Sequence, residues 1–166
     1  MSKKFGEKIN IDNMDFYTFP SIQKICNASI QDLLSCGLGY RSKFMLKSAK
    51  YISENNLDLE KLKRTEYDIA KEELLKLEGV GEKIADCILL FSLDKLEAFP
   101  IDTWIIKFLH EDLYQNLTTD TKLTHKMSPN KYKIISKRLR NYYGKYSGYA
   151  QQFIYYNIRV ENGRKW

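Results

Sequence analysis

Cysteine is scarce and unpaired in this sequence: Cys26, Cys36 and Cys87 are odd in number and far apart. They offer neither the paired spacing of a zinc or iron-sulfur site nor the density of a secreted disulfide scaffold. Reduced thiols, a cytoplasmic location and no metal-ligating residues are the expectation. No apolar run approaches the roughly 20 residues that span a bilayer. The start, MSKKFGEKINIDN, also lacks the apolar core of a signal peptide. Neither a membrane nor an export route is therefore expected. No repeat and no composition shift marks a boundary, so residues 1–166 read as one domain.

What the sequence does have is enough apolar material for a core and a surplus of positive charge. Of 166 residues 43% are hydrophobic, and 27 Lys plus Arg stand against 21 Asp plus Glu, for a net charge of +6 and a pI near 9.1. A polyanionic partner suits that balance, although a modest lysine excess is also common on proteins that are merely soluble.

Apolar residues recur at three and four positions almost throughout, which predicts an all-α chain. Residues 1–20 are the exception: they alternate poorly around a turn at Asp12-Asn13 and read as a mostly irregular segment. Helices are expected from Ser21, from Ser29 and over Arg41–Asn55, with GLGYR as the interruption. Asp68–Leu77 leads into LEGVGEK and Lys83–Leu93 leads out, with Ile84, Cys87, Ile88 and Phe91 spaced as one apolar face. Asp102 stands where an N-cap belongs, ahead of Trp104, Ile105, Phe108 and Leu109. The run QNLTTDTKLTHKMS reads as a loop, Ser128-Pro129 as the start of the next helix, and about Tyr149–Val160 as the last.

LEGVGEK carries the first sign of chemistry. A tight turn between two helices leaves the N–H groups at the start of the second helix unpartnered, so they point outward with the positive end of the dipole and suit a phosphate. Gly79 and Gly81 permit the turn and let a sugar-phosphate strand approach, and Val80 packs between the helices. Lys83 falls in the first turn, where the dipole disfavours a cation; that environment favours the neutral amine that a nucleophile requires. Asp102 follows at the start of the next helix. Each feature also has a plain reading: an ordinary helical corner, a solvated lysine, a simple N-cap.

Taken together, LEGVGEKIADCILLFSLDKLEAFPIDTW resembles the helix-hairpin-helix signature of base-excision DNA glycosylases, and its ADC and DK elements resemble those of the 8-oxoguanine DNA glycosylases. GLGYRSKF at Gly37 and GYAQQFIYY at Gly148 resemble further segments of that family, in the same order. The resemblance implies a helix-hairpin-helix glycosylase helical domain with its hairpin at about 72–93. The family's N-terminal β-rich domain and early helices have no counterpart in the matched region, so the domain is expected to be incomplete at its N-terminus.

The resemblance also implies roles. Lys83 would attack the deoxyribose C1′ and form a Schiff base, and Asp102 would stabilise the cationic sugar. Cys87 and Tyr155 would flank the flipped base, with Gln151 bonding its Watson–Crick edge, while Gln152 points elsewhere on the helix. Tyr40 and Arg41 would enter the duplex beside the orphaned cytosine, and Gly79, Val80 and Gly81 would hold phosphate. Trp104 replaces a histidine of the family and can donate one bond without charge. The implied partner is double-stranded DNA containing an oxidised purine, bound by a monomer in the cytoplasm at the nucleoid, or with a partner chain supplying the early helices. No organic cofactor is implied, although a monovalent cation on the hairpin carbonyls is compatible. Two other readings stay open: a helix-hairpin-helix glycosylase for another base, against which the lack of a C-terminal four-cysteine cluster argues, and a truncated non-catalytic DNA-binding remnant.

Overall fold

The structure is a computed structural model that describes residues 1–109 and 127–162. Of the polar run expected to form a loop, all but Met127 and Ser128 lie outside the described residues. The chain divides into two compact units, Met1–Asp58 with Leu77–Gly79, and Leu59–Lys76 with Val80–Trp166, where a single domain was expected.

The first unit opens with a short helix, α1 (Ser2–Phe5), and two strands, β1 (Lys8–Ile11) and β2 (Met14–Tyr17). This corrects the expectation of an irregular start. Asp12 and Asn13 both take positive φ, 49° and 61°, the torsions that a two-residue hairpin turn demands and that Asp and Asn tolerate. The antiparallel register sets Ile9 opposite Phe16 and Ile11 opposite Met14. All four are exposed, so turn chemistry rather than burial specifies the hairpin. Three helices follow: α2 (Ile22–Cys26), α3 (Ile30–Ser35) and α4 (Arg41–Glu54). Ser21 and Ser29 cap the first two as expected, the second in a full capping box with Asp32. Ile25, Leu33 and Ala49 form the buried centre.

The second unit holds α5 (Leu59–Arg64), α6 (Tyr67–Leu75), α7 (Glu82–Ser92), α8 (Thr103–Leu109), α9 (Pro129–Tyr143) and α10 (Ser147–Glu161). Its core gathers Phe99, Ile101, Ile105, Ile106, Leu109, Tyr132, Ile135 and Leu139. On α7 the expected packing face is the wrong one. Ala85, Asp86, Leu89 and Leu90 are the buried residues, whereas Ile84 and Phe91 are exposed and Cys87 and Ile88 half-buried. Apolar spacing alone could not reveal this, because one member of the buried face is an aspartate.

Asp86 is wholly buried yet fully engaged. Its Oδ1 accepts from the Tyr67 hydroxyl at 2.5 Å and pairs with Lys71 Nζ at 2.9 Å; its Oδ2 accepts from the Tyr132 hydroxyl at 2.8 Å. Burial, then the Asp86 charge, pushes the Tyr67 hydroxyl up to about 12 despite the opposing pull of Lys71, and the same two causes push Tyr132 upward. For Lys71, burial opposes the charge, but Asp86 and Tyr67 together outweigh it, and the net shift is upward. All three folded values therefore lie above the unfolded ones, so their contribution is intact below about pH 10 and is lost as pH rises through the folded values. The urea midpoint is expected to hold from pH 7 to 9 and to fall steeply between about pH 10 and 12. A flat profile across that window would show that the cluster does not stabilise the fold.

Candidate active site

Between α6 and α7 the chain turns through Leu77–Gly81. Gly79 takes φ 85°, and a Cβ there would come within 2.5 Å of the Phe44 ring, so glycine is required twice over. Gly81 differs from expectation: its φ of −96° and ψ of 179° are ordinary extended backbone, and a Cβ would meet open space. The turn's geometry therefore does not require glycine at this position. Val80 is half-buried. The turn's carbonyl oxygens are the kind of donor a hard cation takes, but that of Glu78 already accepts the Ser48 hydroxyl at 3.2 Å. Among the described residues no group of three or more His, Cys, Asp or Glu could hold a metal ion, and no helix is long and apolar enough to cross a membrane.

In the first turn of α7, Lys83 faces a cavity of about 190 Å³ lined by Cys87, Phe91, Pro100, Asp102, Gln151, Gln152 and Tyr155. A second, of about 460 Å³, shares Lys83, Asp102 and Tyr155 with it and adds Trp104 and Tyr132. The five residues expected to handle sugar and base thus converge, though α7, the Asp102 cap and α10 are far apart in sequence. Asp102 caps α8, its Oδ1 accepting from the amides of Trp104 at 3.0 Å and Ile105 at 2.9 Å. The second carboxylate oxygen takes no part in that cap. Burial, with Asp86 and Asp102 nearby, pushes the Cys87 thiol up, against the opposing pull of Lys83. A neutral thiol offers a polarisable, uncharged surface beside the amine.

Gln151 is buried, and its Oε1 accepts from Gln152 Nε2 at 2.5 Å; Gln152 thus lines the same cavity, although helical spacing points it elsewhere. Arg159, one turn beyond Tyr155, donates to the Tyr155 hydroxyl at 2.8 Å and fixes that ring. Both were readable only as spacings, and neither side chain's partner could be inferred from the sequence.

Two contacts hold α10 in place: the Gly148 amide donates to Leu96 O at 2.8 Å, and Ser147 Oγ to Glu97 O at 2.6 Å. A Cβ on Gly148 would collide with the Leu90 side chain and stand 2.9 Å from Leu96 O. Gly148→Ala is therefore expected to cost about 1 to 3 kcal/mol, measured by urea unfolding. A cost below about 0.5 kcal/mol would mean that α10 is not fixed by this approach.

Tyr40, Arg41 and Gly79 belong to the first unit. Tyr40 is 69% exposed, edge-on to Phe44 at 6.1 Å, with the Arg41 guanidinium 4.8 Å from its ring centroid. Trp104 is half-buried, with Lys107 Nζ 6.0 Å from its ring centroid, so a cation stands beside the indole.

No protein-family model matches the chain. Among curated proteins, an N-glycosylase/DNA lyase of Arabidopsis thaliana is 31% identical over 150 residues, 88% of this chain and 40% of that protein. One of Saccharomyces cerevisiae is 25% identical over 179 residues, 93% of this chain and 47% of that protein. Among solved structures, an 8-oxoguanine glycosylase/lyase of Clostridium acetobutylicum, in complex with duplex DNA containing cytosine opposite 8-oxoguanine, is 35% identical. It superposes with a TM-score of 0.80 over 97% of this chain and 51% of its own. The chain thus spans less than half the length of these curated relatives. The hairpin, the helical fold and similarity along nearly its whole length agree: this chain belongs to the 8-oxoguanine glycosylase family of the helix-hairpin-helix superfamily.

Proposed function

We propose that the chain excises 8-oxoguanine from duplex DNA and cleaves the abasic strand by β-elimination, as a glycosylase and lyase of base-excision repair. The observation that carries this reading is the convergence of Lys83, Cys87, Asp102, Gln151 and Tyr155 on one cavity. The target C1′ lies inside the stack, so the nucleotide is flipped out, at a cost of a few kcal/mol. Cys87 and Tyr155 then flank the base, and the Gln151 amide bonds its Watson–Crick edge.

Lys83 Nζ forms a bond to C1′ as the bond from C1′ to the base breaks; the base leaves with that electron pair and is protonated. Positive charge grows on the sugar, and Asp102, held by its two amide bonds, faces it with a fixed negative charge. Ring opening gives the Schiff base, and loss of a C2′ proton then expels the 3′ phosphate. The turn Gly79–Gly81 suits a phosphate, as the bare Gly81 surface allows. Tyr40 and Arg41 offer a stacking face and a forked donor to unpaired bases. The net charge of +6 favours duplex DNA as partner, met by a monomer in the cytoplasm at the nucleoid.

The test is direct: mix the chain in excess with a duplex bearing 8-oxoguanine opposite cytosine and measure free base by mass spectrometry beside strand cleavage. Release from the lesion duplex alone supports the reading. Cleavage of a preformed abasic site without base release would remove the glycosylase half, and binding with neither product would leave a DNA-binding remnant.

A further inference from the structure

We infer that Tyr132 is a positioning residue that sets the separation of Lys83 and Asp102 through a buried two-bond bridge. Asp86 lies three residues after Lys83, one turn along α7, and Ile101 immediately precedes Asp102. The Tyr132 hydroxyl joins them: it donates to Asp86 Oδ2 at 2.8 Å and accepts from the Ile101 amide at 3.1 Å. The direction is forced, because an ionised carboxylate only accepts, an amide N–H only donates, and a phenol does one of each. Burial, then Asp86, pushes the hydroxyl's titration upward, so it keeps the proton that the bridge needs.

The bridge is anchored on its far side. Asp86 is held by Tyr67 and Lys71 of α6, at 2.5 and 2.9 Å, and Lys71 also pairs with Glu82 at 3.1 Å in the first turn of α7. The helix that bears the amine is thus fixed to α6. Among the described residues, the Tyr132 hydroxyl carries the hydrogen bonds that join that cluster to the segment bearing the carboxylate. The Tyr132 ring also lines the cavity that contains both reacting side chains. Ser136, one turn along α9, touches the same Asp86 oxygen at 3.4 Å but not Ile101. It removes a bond from the cluster without cutting the bridge, which makes it the matched control.

The kinetic consequence rests on the proposed glycosylase activity; the geometric one does not. Tyr132→Phe keeps the ring and the cavity wall while removing the hydroxyl. With enzyme saturating, its single-turnover excision rate is expected to fall about 10- to 100-fold, the cost of about 1 Å of misplacement. Affinity for a duplex with an unreactive abasic analogue should stay unchanged, and Ser136→Ala should excise at the wild-type rate. Excision by Tyr132→Phe at the wild-type rate, or an equal loss in Ser136→Ala, would overturn the bridge. If the wild-type chain itself excises nothing, the activity reading falls and crystal structures of the wild type and both variants decide. A Lys83–Asp102 separation altered in Tyr132→Phe alone upholds the bridge; an unaltered one removes it.

Discussion

Lys83→Gln is expected to bring the borohydride-trapped complex with an abasic duplex to background, while folding stability stays at or slightly above that of the parent. Lys83 is exposed in the first turn of α7, where the dipole disfavours a cation, so deleting the charge removes an unfavourable term of about 0.3 to 1 kcal/mol. Glutamine keeps the length of the side chain and a polar end. What it lacks is the amine lone pair, without which no bond to C1′ and no imine can form. Among the described residues, Lys83 is the only lysine or arginine lining the cavity that holds Asp102, Gln151 and Tyr155. An adduct that persisted in the variant would place the nucleophile on another amine and break the proposed mechanism.

Asp102→Asn is expected to slow base release by about 10² to 10³-fold, or about 3 to 4 kcal/mol of transition-state stabilisation, with DNA affinity little changed. The substitution separates two readings that the sequence could not. As an N-cap, asparagine is as good as aspartate, so its amide oxygen can still accept from Trp104 and Ile105 and α8 stays capped. As a fixed charge facing a cationic sugar, it is no substitute at all. Single-turnover rates with stability measured alongside distinguish these: a variant with parental stability and a parental rate would reduce Asp102 to a cap.

The parts of this protein that were legible in the sequence are those written in local rules. Serine caps at Ser21, Ser29 and Ser128 each accept the amide three residues on, because that choice depends on a few neighbouring atoms. The hairpin turn was visible because Gly79 answers to a torsion. Asp12 and Asn13 follow the same logic, and the strands they join were missed only because the strands are four residues long and bury nothing.

The parts that were not legible depend on partners distant in sequence. Asp86 sits in an apolar helix and looks like an exception to its pattern until Tyr67, Lys71 and Tyr132 are brought to it from two other helices. That inverted the reading of α7: the apolar side with Cys87 and Phe91 opens on the cavity, and the side with the aspartate is buried. Gln152 was set aside because helical spacing points it away from Tyr155, yet a long amide reaches back to Gln151. Spacing predicts where a Cβ points, not where a flexible side chain ends.

The most direct test of the account is borohydride trapping of the chain on a duplex with 8-oxoguanine opposite cytosine, beside an undamaged duplex of the same sequence. A covalent complex is expected on the lesion duplex alone, its cross-link mapped to Lys83. A folded chain that binds the lesion duplex and leaves no adduct would contradict it.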